Sequence, residues 1–543
     1  MIPKNHFAGK RHSRIRPPRR QRKAISLVRP FCLSFPPVLC CSSMGENASV
    51  MVVEGDVPME PTLSLATAAD TAQFAGTLRR PGAILLIACY ELGHQPLGIA
   101  SPLGFLEQAG FAPEALDMSV GRFDVEKVAR ARFIGIAVPM HTALRLGVRL
   151  AERIRDINPT CHVCCYGLYA SLNAEYILAH GADSVIGGEC EAPLVALVES
   201  LEAGDTGVVE GVGRRGRITE PFLKRLAFRV PSRSGLPPLE QYAHLERDGV
   251  RSRVGYVEAS RGCKHHCLHC PIPPVYGGRF FAVSQEVVLE DIRRLVRSGA
   301  AHITFGDPDF LNGPSHALRV ARALHAEFPT LTFDFTAKIE HILKHRVLFP
   351  EFAELGCVFV VSAVESLSNT VLANLEKGHT RADVFEALAV MREAGIALRP
   401  SFVSFTPWTT LDDYLDVLEV VEREGLIDHV DPVQYAVRLL IPPGSKLLER
   451  PAIRPFLGPL DQAAFTYQWT HPDPRMDELH QAVTRLVEGA AKAEEDAALT
   501  FQRVWALAYA ARDGHPPAAV ACHVSHMSPE RSRPPRLTEP WFC

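Results

Sequence analysis

The sequence contains no apolar run that approaches the roughly 18 residues of a membrane-spanning helix, so it predicts no membrane segment. Neither sign of charge is in excess: 58 lysines and arginines stand against 61 aspartates and glutamates, a formal net charge of −3. Residues 1–43 lack acidic side chains and hold ten basic ones, so the rest of the chain carries 48 basic and 61 acidic residues. This acidic body argues against non-specific binding of nucleic acid.

The 14 cysteines lack the dense spacing of a small disulfide-rich scaffold. With 543 residues and 47% hydrophobic content, the chain is long enough for two or three domains. Residues 1–80 differ from the rest, and two interpretations stay open: a transit peptide, or an upstream start codon with the true start at Met44, Met51 or later. In both cases we expect a disordered basic leader.

Three cysteines form the most informative pattern. Cys263, Cys267 and Cys270 stand at a C-x3-C-x2-C spacing, directly after an apolar run at 254–257 that is typical of a strand. Thiolates hold iron–sulfur clusters, usually four per cubane. Three close cysteines therefore leave one iron open to a substrate or cofactor. The alternatives are three incidental core cysteines or a zinc site. The candidates for a fourth zinc ligand are His265, His266 and His269.

Residues 81–205 alternate apolar runs with amphipathic stretches. The runs predict buried parallel strands at 84–90, 115–118, 133–139, 162–167 and 183–188. The helical spacing predicts helices at 97–110 and 142–158. This pattern describes a doubly wound α/β domain, which binds ligands beyond the carboxyl ends of its strands.

The alternation resumes after a glycine- and proline-rich linker at 206–250 and predicts a second α/β domain at 251–450. Its strands are expected at 254–258, 300–305, 331–337, 358–364, 397–405 and 432–440, and its helices at 286–297, 339–355, 381–394 and 411–423. Six βα units are too few to close an eight-stranded barrel, so we expect an open partial (β/α)6 barrel. Helical periodicity at 451–515 predicts a cap that shields the barrel from water, and residues 516–543 are expected to form a flexible tail.

The second domain resembles the radical S-adenosylmethionine (radical SAM) superfamily, because its three cysteines follow the first strand of this repeat. The resemblance implies a 4Fe–4S cluster whose open iron chelates S-adenosylmethionine (SAM), with reductive cleavage to a 5′-deoxyadenosyl radical. His269 departs from the family, which usually has an aromatic residue there. The turn at 306–309 stands where the family receives the SAM amino group, although an Asp-Pro turn that caps the helix at Ser315 is the alternative. The residues that the resemblance assigns to SAM are Gly306, Asp307, Asp309, Glu365, Ser366, Ser401 and Arg438.

Through its segments 95–98, 110–111, 166–171 and 186–191, the first domain resembles the cobalamin-binding domain that precedes many radical SAM domains. The sequence lacks the Asp-x-His-x-x-Gly motif of a lower axial histidine, which implies that cobalamin is bound without a histidine ligand. A plain flavodoxin-like domain without cobalamin is the alternative. The residues that the resemblance assigns to cobalamin are His94, Gly98, Gly167, Ser171, Gly187, Gly188 and Glu189.

The terminal stretch 538–543 resembles a narrower group of radical SAM proteins with a tail of Cys, then selenocysteine or Cys, then Ala-Glu-Pro. The resemblance implies a redox tail that begins at Cys543 and continues with selenocysteine. Its anionic form would be favoured by Arg531, Arg533 and Arg536. A random terminus that happens to end in cysteine is the alternative.

Together these patterns predict a cytoplasmic, cobalamin-dependent radical SAM enzyme that methylates an unactivated carbon of a small molecule or peptide. An oxygen-sensitive cluster requires a reducing compartment, and the expected electron donor is a flavodoxin or ferredoxin. We expect neither a nucleic-acid nor a membrane partner. The alternatives are a radical rearrangement or cyclisation without net methylation, and a non-catalytic iron–sulfur carrier or sensor.

Overall fold

The computed structural model describes residues 73–205, 207–515, 531 and 533–538. Cys543 and most of the predicted leader lie outside these residues. The N-terminal part of the described chain is an α/β domain. Its strands are β1 (Ile84–Ala88), β2 (Glu114–Asp117), β3 (Phe133–Ala137), β4 (His162–Tyr166), β5 (Ser184–Ile186) and β6 (Val212–Arg214). Its helices are α1 (Leu97–Gln108), α2 (Val125–Arg130), α3 (His141–Ile157), α4 (Leu168–Leu172), α5 (Ala174–Ala179) and α6 (Glu191–Glu202).

The sheet of this domain has the order β2-β1-β3-β4-β5-β6, with β1 to β5 parallel and β6 antiparallel. Every residue of β1, β3 and β4 is buried because helices cover both faces. Alternate residues of each strand enter two separate cores. Leu85 and Ile87 pack toward α3, whereas Ile84 and Leu86 pack toward α1 and α6. The predicted doubly wound domain is therefore confirmed.

The second domain begins within the predicted linker. Its strands and helices in chain order are β7 (His244–Arg247), β8 (Val250–Val257), β9 (Ser260–Gly262), α7 (Ile272–Tyr276), β10 (Phe280–Ala282), α8 (Gln285–Arg297), β11 (His302–Phe305), α9 (Pro314–Glu327), β12 (Thr332–Thr336), α10 (Ile339–Lys344), α11 (Phe349–Glu354), β13 (Cys357–Glu365), α12 (Asn369–Asn374), α13 (Arg381–Glu393), β14 (Ala397–Phe402) and α14 (Leu411–Arg423). Strands β8, β11, β12, β13 and β14 form a curled parallel sheet. The predicted partial barrel is confirmed in architecture.

The predicted sixth strand, at 432–440, is wrong. Residues Pro432–Ala436 form a 3-10 helix, and only a single bridge joins Phe405 to Arg438. The side chain of Gln434 replaces the backbone ladder here, because its Oε1 accepts from the N–H of Phe402. The predicted helix at 339–355 is also divided, into α10, a 3-10 turn and α11, with Pro350 in the first turn of α11.

The predicted cap is helical only in its second half. Residues 457–469 form a hairpin of β15 (Leu457–Asp461) and β16 (Thr466–Trp469), whose aromatic residues the sequence had suggested to be helical. Two long helices follow, α15 (Pro474–Lys492) and α16 (Ala497–Asp513). None of the helices in the described parts of the chain is both long and apolar enough to cross a bilayer.

The described ends of the chain pack against the body. Phe74 and Leu78, which the sequence had placed in the leader, are buried in the core of the first domain. Near the other end, β17 (Arg536–Leu537) pairs with β7, and three arginines of this segment form ion pairs with acidic residues of the body. The pairs are Arg531 with Asp428 and Asp496, Arg533 with Asp496, and Arg536 with Glu246. Because these arginines already have carboxylate partners, the expectation that they favour an anionic tail loses its support.

Candidate functional site

A cavity of about 400 Å³ lies where the strand ends of the two domains meet. Strands β1, β3, β4 and β5 contribute residues that follow their carboxyl ends, and β8 and β11 do the same from the opposite side. Gly262 and Ile272, which flank the cysteine loop, also line it. Ligands of open α/β sheets bind at such strand ends, so one chamber is shared by the binding edges of both sheets.

The cysteine loop runs from β9 to α7. Cys263 and Cys267 are buried and Cys270 is half-buried. The loop can enter this turn because Gly262 has φ +75°, and a Cβ there would lie 2.5 Å from the carbonyl oxygen of Arg279. Burial raises the pKa of Cys263 above its ordinary value and that of Cys270 to about 12. The buried thiols therefore need a metal's positive charge to ionise, which suits a cluster-holding set.

Three interacting polar side chains lie beside the cysteines. The Nζ of Lys377 lies 3.1 Å from Glu365 Oε1, and His269 Nε2 lies 3.2 Å from the same oxygen. Burial alone would lower the pKa of Lys377, but Glu365 and the nearby Cys267 raise it above its ordinary value. Burial would raise the pKa of Glu365, yet Lys377 holds it well below the usual range. Glu365 also has φ +65°, a strained conformation of the kind that clusters at functional sites.

The turn after β11 differs from its predicted role. Of residues 306–309, only Gly306 and Pro308 line the cavity. Asp307 is buried and accepts from the N–H of Ala259 (2.9 Å) and the hydroxyl of Ser260 (2.5 Å). Burial raises the pKa of Asp307 to about 7. Asp309 is buried beside two histidines. Neither carboxylate therefore reaches the cavity surface.

The other residues predicted to contact SAM have separate surroundings. The Ser366 hydroxyl accepts from the N–H of Ser368 (3.1 Å), and Ser401 is half-buried on β14. Arg438 donates to Asp477 (2.6 Å) and stacks on the ring of Trp469 at 3.5 Å. These contacts favour a structural role for Arg438 in holding the cap.

A buried ionic cluster that sequence reasoning missed lies at the edge of the cavity. Arg261 contacts Glu191 at 2.5 Å, Glu258 at 2.7 Å and Glu189 at 3.6 Å. The Tyr276 hydroxyl donates to Glu189 at 2.9 Å. Burial raises the pKa of Glu189 to about 7, while Arg261 outweighs burial at Glu191 and lowers its pKa. The cluster ties the loop after β5 to the strand that leads into the cysteine loop.

The first domain lines the cavity with glycine backbone and with polar side chains that include Glu91 and Tyr166. Gly98, Gly167 and Gly188 line it. At Gly167, φ is +116° and a Cβ would lie 3.2 Å from the carbonyl of Val138, so a larger residue would be strained and crowded there. Glu91 accepts from the N–H of Gly98 (3.0 Å), and burial raises its pKa to about 8. The buried Tyr166 hydroxyl has no hydrogen-bond partner within the described part of the chain.

Comparison with known proteins agrees with this division. The B12 binding domain family model matches residues 83–198, and the Radical SAM superfamily model matches residues 257–426. The chain carries a B12-binding domain followed by a radical SAM domain. These domains imply a 4Fe–4S cluster, SAM and cobalamin as cofactors.

Among curated proteins, the hopanoid C-3 methylase of Methylococcus capsulatus is 27% identical over 267 residues, which cover 48% of this chain and 50% of the methylase. The chain spans about half the length of the curated relatives it matches. The similarity to methylases of this kind supports an enzyme.

Among solved structures, the radical SAM methyltransferase TsrM from Kitasatospora setae, with cobalamin and a 4Fe–4S cluster bound, aligns with a TM-score of 0.54 at 20% identity. The alignment covers 64% of this chain and 74% of TsrM. The cobalamin-dependent SAM radical enzyme OxsB, with aqua-cobalamin bound, aligns with a TM-score of 0.61 at 17% identity and covers 76% of this chain and 67% of OxsB. At these identities the likeness establishes the fold.

The residues present fit the implied cofactors. Three free thiols in one loop of the radical SAM domain are the donor set of a cluster. In the B12-binding domain, the glycine edges and the unpartnered Tyr166 hydroxyl suit a ligand rich in amide groups, as cobalamin is. Only some of the residues predicted to contact cobalamin line the cavity. Gly98, Gly167 and Gly188 line it, whereas Ser171, Gly187 and Glu189 do not. His94 does not line the cavity itself, but it is buried and stacks at 4.5 Å on Tyr256, which does.

Proposed function

We propose that this chain is a cobalamin-dependent radical SAM enzyme that methylates an unactivated carbon of a small molecule or peptide. The observation that carries the proposal is the shared cavity. The strand ends that bind cofactor in a B12-binding domain and those that bind it in a radical SAM domain open into one chamber of about 400 Å³. A methyl donor and a hydrogen-abstracting radical can act on the same carbon only if both reach it within one closed space.

In this proposal, Cys263, Cys267 and Cys270 hold the cluster, and the Lys377 ammonium offsets its negative charge from a buried position. The backbone at Gly98 and Gly167 and the Tyr166 hydroxyl hold cobalamin. When bound, the cluster and SAM supply a carbon-centred radical, and cobalamin supplies the methyl group.

The chain's own residues also exclude water from the chamber. The ionic cluster of Arg261 closes the edge between the domains by linking Glu191 to Glu258. The stacked rings of His94 and Tyr256 close a second contact between them. Exclusion of water protects a reactive radical from quenching.

The experiment uses protein reconstituted anaerobically with iron, sulfide and cobalamin. It is supplied with SAM carrying a deuterated methyl group, a flavodoxin or ferredoxin as electron donor, and a panel of small molecules and peptides. Mass spectrometry should detect 5′-deoxyadenosine together with a product that carries the label. Formation of 5′-deoxyadenosine with an unlabelled, rearranged product would show that the enzyme catalyses a rearrangement or cyclisation and not a methylation. If no 5′-deoxyadenosine forms, the non-catalytic alternative, an iron–sulfur carrier or sensor, would be favoured.

The narrower resemblance, to proteins with a cysteine–selenocysteine tail, belongs to the same proposal. Its test is the coding DNA downstream of Cys543. A TGA codon followed by codons for Ala-Glu-Pro supports the redox tail. A TAA or TAG stop, or a TGA without those codons, ends it.

A further inference from the structure

Three side chains of the types that bind metals come together beside the cysteine loop, from separate segments of the chain. His265 lies in the loop itself, Asp309 in the turn after β11, and His341 on α10. Their ligand atoms all lie within 4.8 Å of one another. The proposed reaction uses none of them, and Asp309 does not line the cavity.

Two of the three separations match those of ligands around one metal ion. Asp309 Oδ2 lies 2.8 Å from His341 Nδ1 and 3.4 Å from His265 Nε2. Nitrogen and oxygen ligands stand ~2.0–2.1 Å from zinc, so two of them at angles of ~90–109° are about 2.8–3.4 Å apart. The two imidazole rings are tilted by 57° with centroids 4.5 Å apart, so they do not stack on each other.

Hydrogen bonding alone accounts poorly for the same contacts. Both His265 Nε2 and His341 Nδ1 are buried, and neither has a hydrogen-bond partner of acceptable geometry in the described part of the chain. A buried polar atom left unpaired costs about 1–3 kcal/mol. A cation between the three side chains would satisfy both nitrogens and the carboxylate at once.

The surroundings hold these side chains in place. Asp309 Oδ1 accepts from the N–H of Leu311 at 2.9 Å, and Oδ2 accepts from the N–H of Lys338 at 3.3 Å. The second nitrogen of His265, Nδ1, lies 3.7 Å from Glu340 Oε2 and 3.1 Å from Lys338 Nζ. A metal-bound histidine usually donates its other N–H to a carboxylate. Glu340 Oε2 is the carboxylate oxygen beside that nitrogen, but at 3.7 Å it is not hydrogen-bonded to it in this structure, and it contacts Lys338 Nζ at 3.3 Å.

We propose that His265, Asp309 and His341 bind one divalent transition-metal ion that fastens the cysteine loop to the turn after β11 and to α10. Two histidines and one carboxylate suit zinc or ferrous iron. The site is separate from the 4Fe–4S cluster, and it does not depend on cobalamin or on methyl transfer.

The test uses the full chain with its cluster reconstituted, dialysed anaerobically against limiting Zn²⁺. We expect one zinc per chain by elemental analysis, and a zinc K-edge spectrum with only nitrogen and oxygen ligands at ~2.0–2.1 Å. His341→Gln and Asp309→Asn should each weaken zinc binding at least ~10-fold. The matched control is His345→Gln, because the ring of His345 lies beside His341, 5.6 Å between centroids, without joining the set. This control should bind zinc like the unmodified chain.

Three results would overturn the proposal: neither stoichiometric zinc nor iron beyond the cluster's own, sulfur ligands on the bound zinc at ~2.3 Å, or unchanged metal content in folded His341→Gln protein. If Asp309→Asn does not fold, the zinc binding of His341→Gln alone decides whether the proposal stands. An iron atom beyond the cluster's own that His341→Gln removes would support the site and identify its metal as iron. Zinc content is measured without SAM, so its outcome is independent of whether 5′-deoxyadenosine is formed.

Discussion

Replacement of Arg261 by Met should destabilise the chain strongly. This substitution keeps an apolar stem but removes the only guanidinium within contact of Glu189, Glu191 and Glu258 in the described structure. The Glu191 side chain is 1% exposed and that of Arg261 16%, so the contact lies in a poorly hydrated place. Removing one partner of a buried ion pair costs about 3–5 kcal/mol, because the other charge stays buried without compensation.

The loss should depend on pH in a defined direction. With Arg261 present, the folded-state pKa of Glu191 lies below its ordinary value, so its stabilising contribution is present above that ordinary value and is lost on acidification. Without the guanidinium, burial raises the pKa of Glu191 above its ordinary value. As pH rises, ionisation of this buried carboxyl then destabilises the folded state. The free-energy difference between Arg261→Met and the unmodified chain should therefore grow from about pH 5 to pH 8.

Equilibrium urea unfolding of the protein without cofactors, at pH 6 and pH 8, measures this difference. The matched control is Arg293→Met, since Arg293 is an exposed arginine that contacts Glu327 at 2.7 Å, and the loss of an exposed ion pair should leave the free energy of unfolding nearly unchanged. A second change, Glu191→Gln, should restore part of the stability of Arg261→Met. The reasoning is refuted if Arg261→Met lies within ~1 kcal/mol of the unmodified chain at pH 8, or if its deficit does not grow with pH.

Three further predictions concern the same domains. Burial raises the pKa of Glu91 to about 8, so ionisation of Glu91 should cost the cofactor-free chain up to a few kcal/mol of stability between about pH 4.5 and pH 8. In pH-dependent urea unfolding, Glu91→Gln should make the decline of stability over this window smaller by that amount, and an unchanged decline would contradict the prediction. Gly167→Ala should cost ~1–3 kcal/mol more than Gly235→Ala in the same assay and weaken cobalamin binding, because of these two glycines only Gly167 has backbone atoms where a Cβ would lie. Equal costs would contradict this role of Gly167. Arg531→Ala should lower stability by ~2 kcal/mol and Arg533→Ala by less than ~1 kcal/mol, since side-chain exposure is 12% at Arg531 and 43% at Arg533; the reverse order in thermal unfolding would contradict this anchoring.

Elements with strong local signals could be predicted from the sequence. Helix α14 begins and ends where its pattern indicated, because Thr410 and Asp413 form a capping box at its start. The buried strands β1, β3 and β4 were evident from continuous apolar runs. The sixth barrel strand failed because its pairing depends on Gln434, whose side chain takes over a backbone hydrogen bond of β14. An apolar pattern gives no information about such a replacement.

The site was predictable only in part, for similar reasons. The cysteine spacing is local, and it places three thiols in one loop. The roles of Asp307 and Asp309 depend on which way each side chain faces, and both face protein partners. Two of the three carboxylate partners of Arg261, Glu189 and Glu191, come from the other domain, so sequence proximity could not identify them. One signal was available, since Glu258 and Arg261 follow directly on a strand end that opens toward the cysteine loop.

The most direct test of the central claim is the yield of 5′-deoxyadenosine from SAM under reducing, anaerobic conditions. The unmodified chain, reconstituted to about four irons per chain, should cleave SAM. The triple variant Cys263→Ala, Cys267→Ala and Cys270→Ala should lose both the iron–sulfur absorbance and all cleavage. Retained cleavage in the triple variant, or none in the unmodified chain with a full cluster, would contradict the account.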